Sequence, residues 1–223
     1  MKTLFLAWQA AQQPHGGQPT RAWYPIGRLE AATDRRTYRF TYTQGARRAQ
    51  QEAGFAPLIA FPDLDRLYED DELFPLFQNR LLNPRRSDYP AFIERLALKP
   101  SDADPIEVLA LSEGVRQTDH LQVFPRLQIG QDGLFHSRFF LHGWRHASAQ
   151  AQDRVQRLKE GESLRVAIEI NNPVASTAVQ LQSVDDQMVL GWAPRYLVDD
   201  LVRACTGAPQ SITARVFKLN PAP

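Results

Sequence analysis

A single cysteine, Cys205, stands in the whole chain. It excludes a disulfide within the chain and any cysteine-rich zinc site, and it points to a reducing compartment. Long apolar runs are missing too. None nears the ~20 residues that a membrane-crossing helix needs. The apolar stretch from Met1 to Trp8 is interrupted by Gln9, Gln12 and Gln13 and is too short for a secretory leader. The expectation is a cytoplasmic protein with no membrane partner. Net charge is small: 26 Lys and Arg against 25 Asp and Glu leave +1. A protein that coats long nucleic acid carries a strong basic excess, so any electrostatic footprint here is a local patch. Such a patch suits a short strand or an end better than a duplex. There is also no internal repeat and no low-complexity tract, which excludes repeat arrays and disordered tails.

What is present supports packed cores. Hydrophobic residues make up 43% and aromatics 10% of the 223 residues, enough for one large or two small domains. Leu4–Trp8, Trp23–Glu30 and the alternating Tyr38–Tyr42 predict strands, with Arg39 and Thr41 on the polar face of the third. Gln12–Thr20, rich in Pro and Gly, predicts a loop. Gly45–Ala53 predicts a helix stopped by Gly54. Leu73–Leu82 and Asp88–Leu98 have helical spacing. In Asp104-Pro105-Ile106-Glu107 an Asp cap, a Pro in the first turn and a Glu three residues after the cap form a capping-box pattern. Leu121–Pro125 predicts a strand, and Arg126–Gly133 a linker.

The second half restarts with a predicted strand over Leu134–Leu141 and a polar helix over Ala149–Lys159. In Ser163–Ile170, Leu164, Val166, Ile168 and Ile170 alternate with Arg165, Ala167 and Glu169, which predicts a strand with its charged side in solvent. Val179–Gln182 and Met188–Gly191 flank Asp185-Asp186 as a hairpin. Pro194 opens a helix to Ala204, Ile212–Lys218 predicts the last strand, and Pro221–Pro223 a frayed end.

Candidate binding residues cluster at segment ends, where a rigid scaffold presents function. Single-strand recognition needs donors for phosphate oxygens and flat groups on which bases stack. Arg145 and Arg195 supply the first; Trp144, His146 and Trp192 supply the second. The two tryptophans fit a barrel core equally well, and Arg145 fits a structural ion pair. Asn171 and Asn172 precede a Pro, so an extended backbone that presents both amides is expected; turn formation is the other reading. His136, His142 and His146 do not read as a zinc set, because Gly143 breaks any helical spacing. Cys205 reads as a small buried hydrophobe. Asp70-Asp71-Glu72, Asp185-Asp186 and Asp199-Asp200 lie as sequence neighbours, an arrangement that seldom converges on two metal ions.

The run FFLHGWRHA, then LRVAIEINNPVASTAVQLQS, then VLGWAPRYLVDDL resembles a HIRAN domain over Leu134 to Lys218. The resemblance implies an OB-like β-barrel with flanking helices that grips the 3′ end of single-stranded DNA. Arg145, Asn171 and Asn172 match the family's pattern, and Arg195 matches a basic position. His146 and Ala147 stand where the family has aromatics, and Thr177 stands for an Asn. Ala175 replaces the Asp that holds the terminal hydroxyl, so the resemblance implies little discrimination between 3′ ends. The first half, with PIGRLE, YRFTYT, LFPLFQNRLLNP and DPIEVLALSEGVRQTDHLQVFP, resembles the N-terminal subdomain of HipA-type kinases over Leu4 to Pro125. Glu113-Gly114-Val115 stands at the family's Gly-Gly-Asp turn, and the kinase body has no counterpart.

The expectation is therefore an α+β protein of two domains. Residues 1–127 form a mixed α/β domain like the HipA subdomain, and residues 134–223 an OB-like barrel. It is expected to be non-catalytic and without cofactor, binding single-stranded DNA or DNA ends through Trp144, Arg145, His146, Asn171, Asn172, Thr177, Trp192 and Arg195. The first domain would be a protein-interaction platform; the alternative is an antitoxin-like regulator or partner of a HipA-type kinase.

Overall fold

A computed structural model describes residues 2–10, 22–32 and 37–220. The predicted loop Gln12–Thr20 and the terminal Pro221–Pro223 lie outside the described residues. The chain is α+β and divides into two compact units, Met1–His136 and Ser137–Pro223. Among the described residues, no helix is long and apolar enough to cross a membrane.

Unit 1 carries β1 (Lys2–Gln9), β2 (Trp23–Ala31), β3 (Tyr38–Tyr42), α1 (Gln44–Ala53), β4 (Tyr68–Asp70), α2 (Pro75–Gln78), α3 (Tyr89–Arg95), α4 (Pro105–Ser112) and β5 (Leu121–Pro125). Its five strands form one antiparallel sheet in the order β4-β3-β2-β1-β5. Thr43 caps α1 by accepting from Gly45 N at 3.1 Å, and the N–H of Gly54 returns to Ala49 O at its other end.

The core is aromatic. Phe40 stacks on Phe61 with centroids 4.0 Å apart, and Phe77 and Phe74 pack around them. Such pairs add ~0.5–1.5 kcal/mol beyond their area burial. Tyr42 stitches the long connection after α1 onto the sheet: its hydroxyl donates to Phe61 O and accepts from Leu58 N, both at 2.8 Å. Burial pushes that hydroxyl up to about 12, so it keeps its proton at neutral pH.

Two local expectations change here. The helix over Leu73–Leu82 shrinks to α2, because Arg80 turns inward instead of continuing a surface. Its side chain is 1% exposed. It donates to Gly114 O at 2.8 Å and to Asp119 Oδ2 at 2.5 Å, bracing the turn in which Glu113 and Gly114 both have positive φ. At α4, Asp104 does cap, accepting from Ile106 N and Glu107 N. The Glu107 carboxylate, though, pairs with Lys2 of β1. A cation in reach outcompetes one backbone N–H, so the second half of the capping box becomes a tether between helix and sheet.

Unit 2 carries α5 (Ala149–Gln156), β6 (Ser163–Asn172), β7 (Ser176–Ser183), β8 (Val189–Trp192), α6 (Val198–Gly207) and β9 (Ala214–Arg215). The strands form an antiparallel sheet in the order β8-β7-β6-β9, curled as a half-barrel. Val179, Leu181, Ala193 and Val198 form one buried cluster, and Leu158, Leu190 and Val216 another. The β7–β8 turn is closed by Ser183, whose hydroxyl binds Asp186 and accepts from Met188 N.

The expected strand over Leu134–Leu141 does not form. A tight turn with Gly130 N donating to Leu134 O at 2.6 Å uses up its start. The remainder meets a strand edge only through the bridge between His142 and Trp192, with Phe139 and Leu141 packed on the core. The last strand likewise shrinks to β9, since its only partners on β6 are Ser163 and Leu164.

Candidate nucleic-acid interface

The site is built outward from the β6–β7 turn. Asn171 takes positive φ, 62°, and the pairing of β6 with β7 shifts register there. An extended backbone was expected before Pro173; instead Asn171 is the extra residue of a bulge, a conformation Asn tolerates well. The bulge turns Asn172 inward. Its Oδ1 accepts from Val174 N at 3.0 Å and Ala175 N at 2.9 Å, and its Nδ2 donates to Glu169 Oε2 at 3.0 Å. Asn171 stays exposed beside it.

Trp192 ends β8 and reaches across the sheet. Its Nε1 donates to the same Glu169 Oε2 at 2.6 Å. Its backbone pairs with His142 in both directions at 2.9 Å. Two glycines permit this approach. A Cβ on Gly191 would lie 2.6 Å from His142 O, and one on Gly143, whose φ is 65°, would lie 2.7 Å from Trp192 Cε3. Beyond Gly143 a short 3-10 turn carries Trp144, Arg145 and His146. The Arg145 guanidinium sits 5.5 Å from the Trp144 ring centroid, a cation–π pair on the surface. Gln152 of α5 holds this turn by donating to Arg145 O and Ala147 O. On the far side of the β6–β7 turn, Arg195 donates to Val174 O at 3.0 Å.

One hydrogen-bonded chain therefore joins Arg195, the β6–β7 turn, Asn172, Glu169 and Trp192, and Gly143 brings Trp144 and Arg145 alongside. Thr177 stands opposite Ile170 on the first regular rung after the bulge. His146 is exposed at the outer end of its turn. Both tryptophans are half-buried: neither core nor fully presented.

Glu169 is the functional residue that sequence reasoning missed. Alternation placed it on a solvated face, with Ile168 and Ile170 buried. The structure reverses this at the turn end: Ile168 is 37% and Ile170 74% exposed, while Glu169 is half-buried. A half-buried indole N–H requires an acceptor, and Glu169 is the side chain that supplies it. Burial alone would raise its carboxyl, but hydrogen bonds from Trp192, Asn172 and Gln180 outweigh that and hold it below the usual glutamate range. The signal that could have found it is an acid between two isoleucines just ahead of Asn-Asn-Pro.

The carboxylate fixes Trp192 and Asn172, so the surface left for an anion runs along Arg145 and Arg195 instead of over Asn172. Among the described residues, no group of three or more His, Cys, Asp or Glu side chains is placed to hold a metal ion. Burial raises the Cys205 thiol, which keeps it a thiol at neutral pH. No family model, no curated protein and no solved structure matches the chain.

Proposed function

We propose that unit 2 is a HIRAN-like module that binds single-stranded DNA or exposed DNA ends without catalysis. The observation that supports this most is the grouping of two arginines and two indoles around one sheet end. Trp144 and Trp192 flank Gly143, Arg145 lies over one ring, and Arg195 borders the neighbouring turn. Base stacking on such rings is worth ~1–3 kcal/mol per base, and the arginines add charge-assisted bonds to phosphate. Ala175, whose backbone is engaged by Asn172 and Thr177, offers no carboxylate for a terminal hydroxyl, so ends with 3′-hydroxyl and 3′-phosphate bind alike.

The test is fluorescence anisotropy with short single-stranded oligonucleotides of both end types at moderate salt. Micromolar binding is expected, weakened about tenfold by Arg145→Ala and declining with salt. Absence of micromolar binding sinks the proposal. A strong preference for the hydroxyl end overturns the end-indifference.

For unit 1 we propose a protein-interaction platform, with a HipA-type kinase as one partner. A groove of about 610 Å³, lined among others by Trp23, Tyr24, Arg47 and Arg48, favours this reading: it offers flat apolar surface beside two cations. Pull-down with a HipA-type kinase body, repeated with Trp23→Ala, checks it; no capture, or capture indifferent to the substitution, removes the groove from the argument.

A further inference from the structure

We infer that β6 is a self-pairing edge, through which two copies of this chain join their sheets. The strand has a partner along its whole length on one side, β7. On the other side β9 covers only Ser163 and Leu164. Among the described residues nothing pairs with that side from Arg165 to Ile170. An open edge of this length is a template for another strand. Proteins ordinarily blunt such edges, yet here the exposed Ile168 and Ile170 lie directly on it.

Backbone direction and side-chain order together select the occupant. Val216 N donates to Glu162 O and Val216 O accepts from Gly161 N, so the even-numbered residues of β6 turn their N–H and C=O groups toward the β9 side. Beyond β9 these are Val166, Ile168 and Ile170. In an antiparallel pair, residues that face each other are both outward-bonding or both inward-bonding. Two copies of β6 related by a twofold axis must therefore centre on a residue, not between two. Centred on Ala167, the outward groups of Val166 meet those of the second copy's Ile168. On the same rungs, Arg165 stands opposite the second copy's Glu169, and this happens twice by symmetry. Moving the centre to Val166 or Ile168 loses both charge pairs. The window is closed at one end by β9 and at the other by the bulge at Asn171, which limits slippage.

The strand is thus complementary to itself in apolar side chains and in charge, the requirement for an isologous interface. A second copy would also deliver its exposed Arg165 to the Glu169 that holds Trp192 and Asn172, so each copy completes a cluster of the other. The inference does not depend on nucleic-acid binding.

Sedimentation equilibrium of the full chain tests it. Wild type is expected to self-associate. Arg165→Glu and Glu169→Lys, each placing like charges opposite one another, weaken self-association by at least about tenfold. An equimolar mixture of the two variants restores association, because each then meets its opposite. Should Glu169→Lys fail to fold by circular dichroism, Ile168→Pro replaces it. That substitution deletes an outward N–H and leaves the β7 ladder intact, and it is expected to yield monomer. A wild-type chain that stays monomeric up to about 100 μM, or variants that associate as wild type does, overturns the inference.

Discussion

The two units hold themselves together by different means. Unit 1 is organised around rings: Phe40, Phe61, Phe74 and Phe77 are all buried and in mutual contact. In unit 2 the buried hydrophobic side chains are aliphatic. Its two tryptophans sit half in solvent, one fixed by a carboxylate and one under an arginine. Apolar volume sets the stability of the first unit, whereas hydrogen bonds position the surface of the second. A core built on volume is sensitive to cavities; a surface built on polar bonds is sensitive to lost partners.

The sharpest way to break the comparison is Phe40→Ala. It should cost ~3–5 kcal/mol, and hydrogen exchange by mass spectrometry should show lost protection in β1 to β4 while β6 to β8 keep theirs. Equal loss in both units would show that they are not separately stabilised. Next comes Arg80→Ala, which strips the buried support from the Glu113-Gly114 turn and should cost about 3 kcal/mol in urea unfolding. A smaller value would mean that aromatic packing alone carries unit 1.

In unit 2, Trp192→Phe keeps an aromatic face but removes the N–H on Glu169. A loss of about 2 kcal/mol is expected, with weaker oligonucleotide binding from a ring no longer held in place. Unchanged binding would separate the carboxylate from the function. The smallest effect is on pH. The Glu169 carboxyl is lower in the folded state than its ordinary value of 4.5, so its contribution is present above that value. It is lost as pH falls through the lower folded value. Acid titration followed by Trp fluorescence should show a transition below 4.5 that Glu169→Gln abolishes.

Much of the fold could be read from local pattern. The strand Tyr38–Tyr42, the helix closed by Gly54, the Asp104 cap and the Asp185-Asp186 hairpin all follow from interactions within a few residues, and they stand where spacing places them. Where a distant partner intervenes, local pattern misleads. Glu107 turns to Lys2, Arg80 turns to Gly114 and Asp119, and Glu169 turns to Trp192. The strands expected at Leu134–Leu141 and Ile212–Lys218 have suitable composition but find little edge to pair with, and composition cannot reveal a missing neighbour. The candidate site divides the same way. Trp144, Arg145, Asn172, Trp192 and Arg195 were identifiable as side chains at segment ends; the glutamate that connects them was not.

The sequence by itself determined the short-range grammar of this protein: which stretches alternate, which residues cap and turn, and that one cysteine and a near-neutral balance leave no disulfide and no broad basic face. Tertiary structure alone decided which polar groups meet. A hydrogen bond or ion pair between residues far apart in the chain depends on how strands curl and where a bulge turns a side chain. Those distances are fixed only when the sheet is assembled.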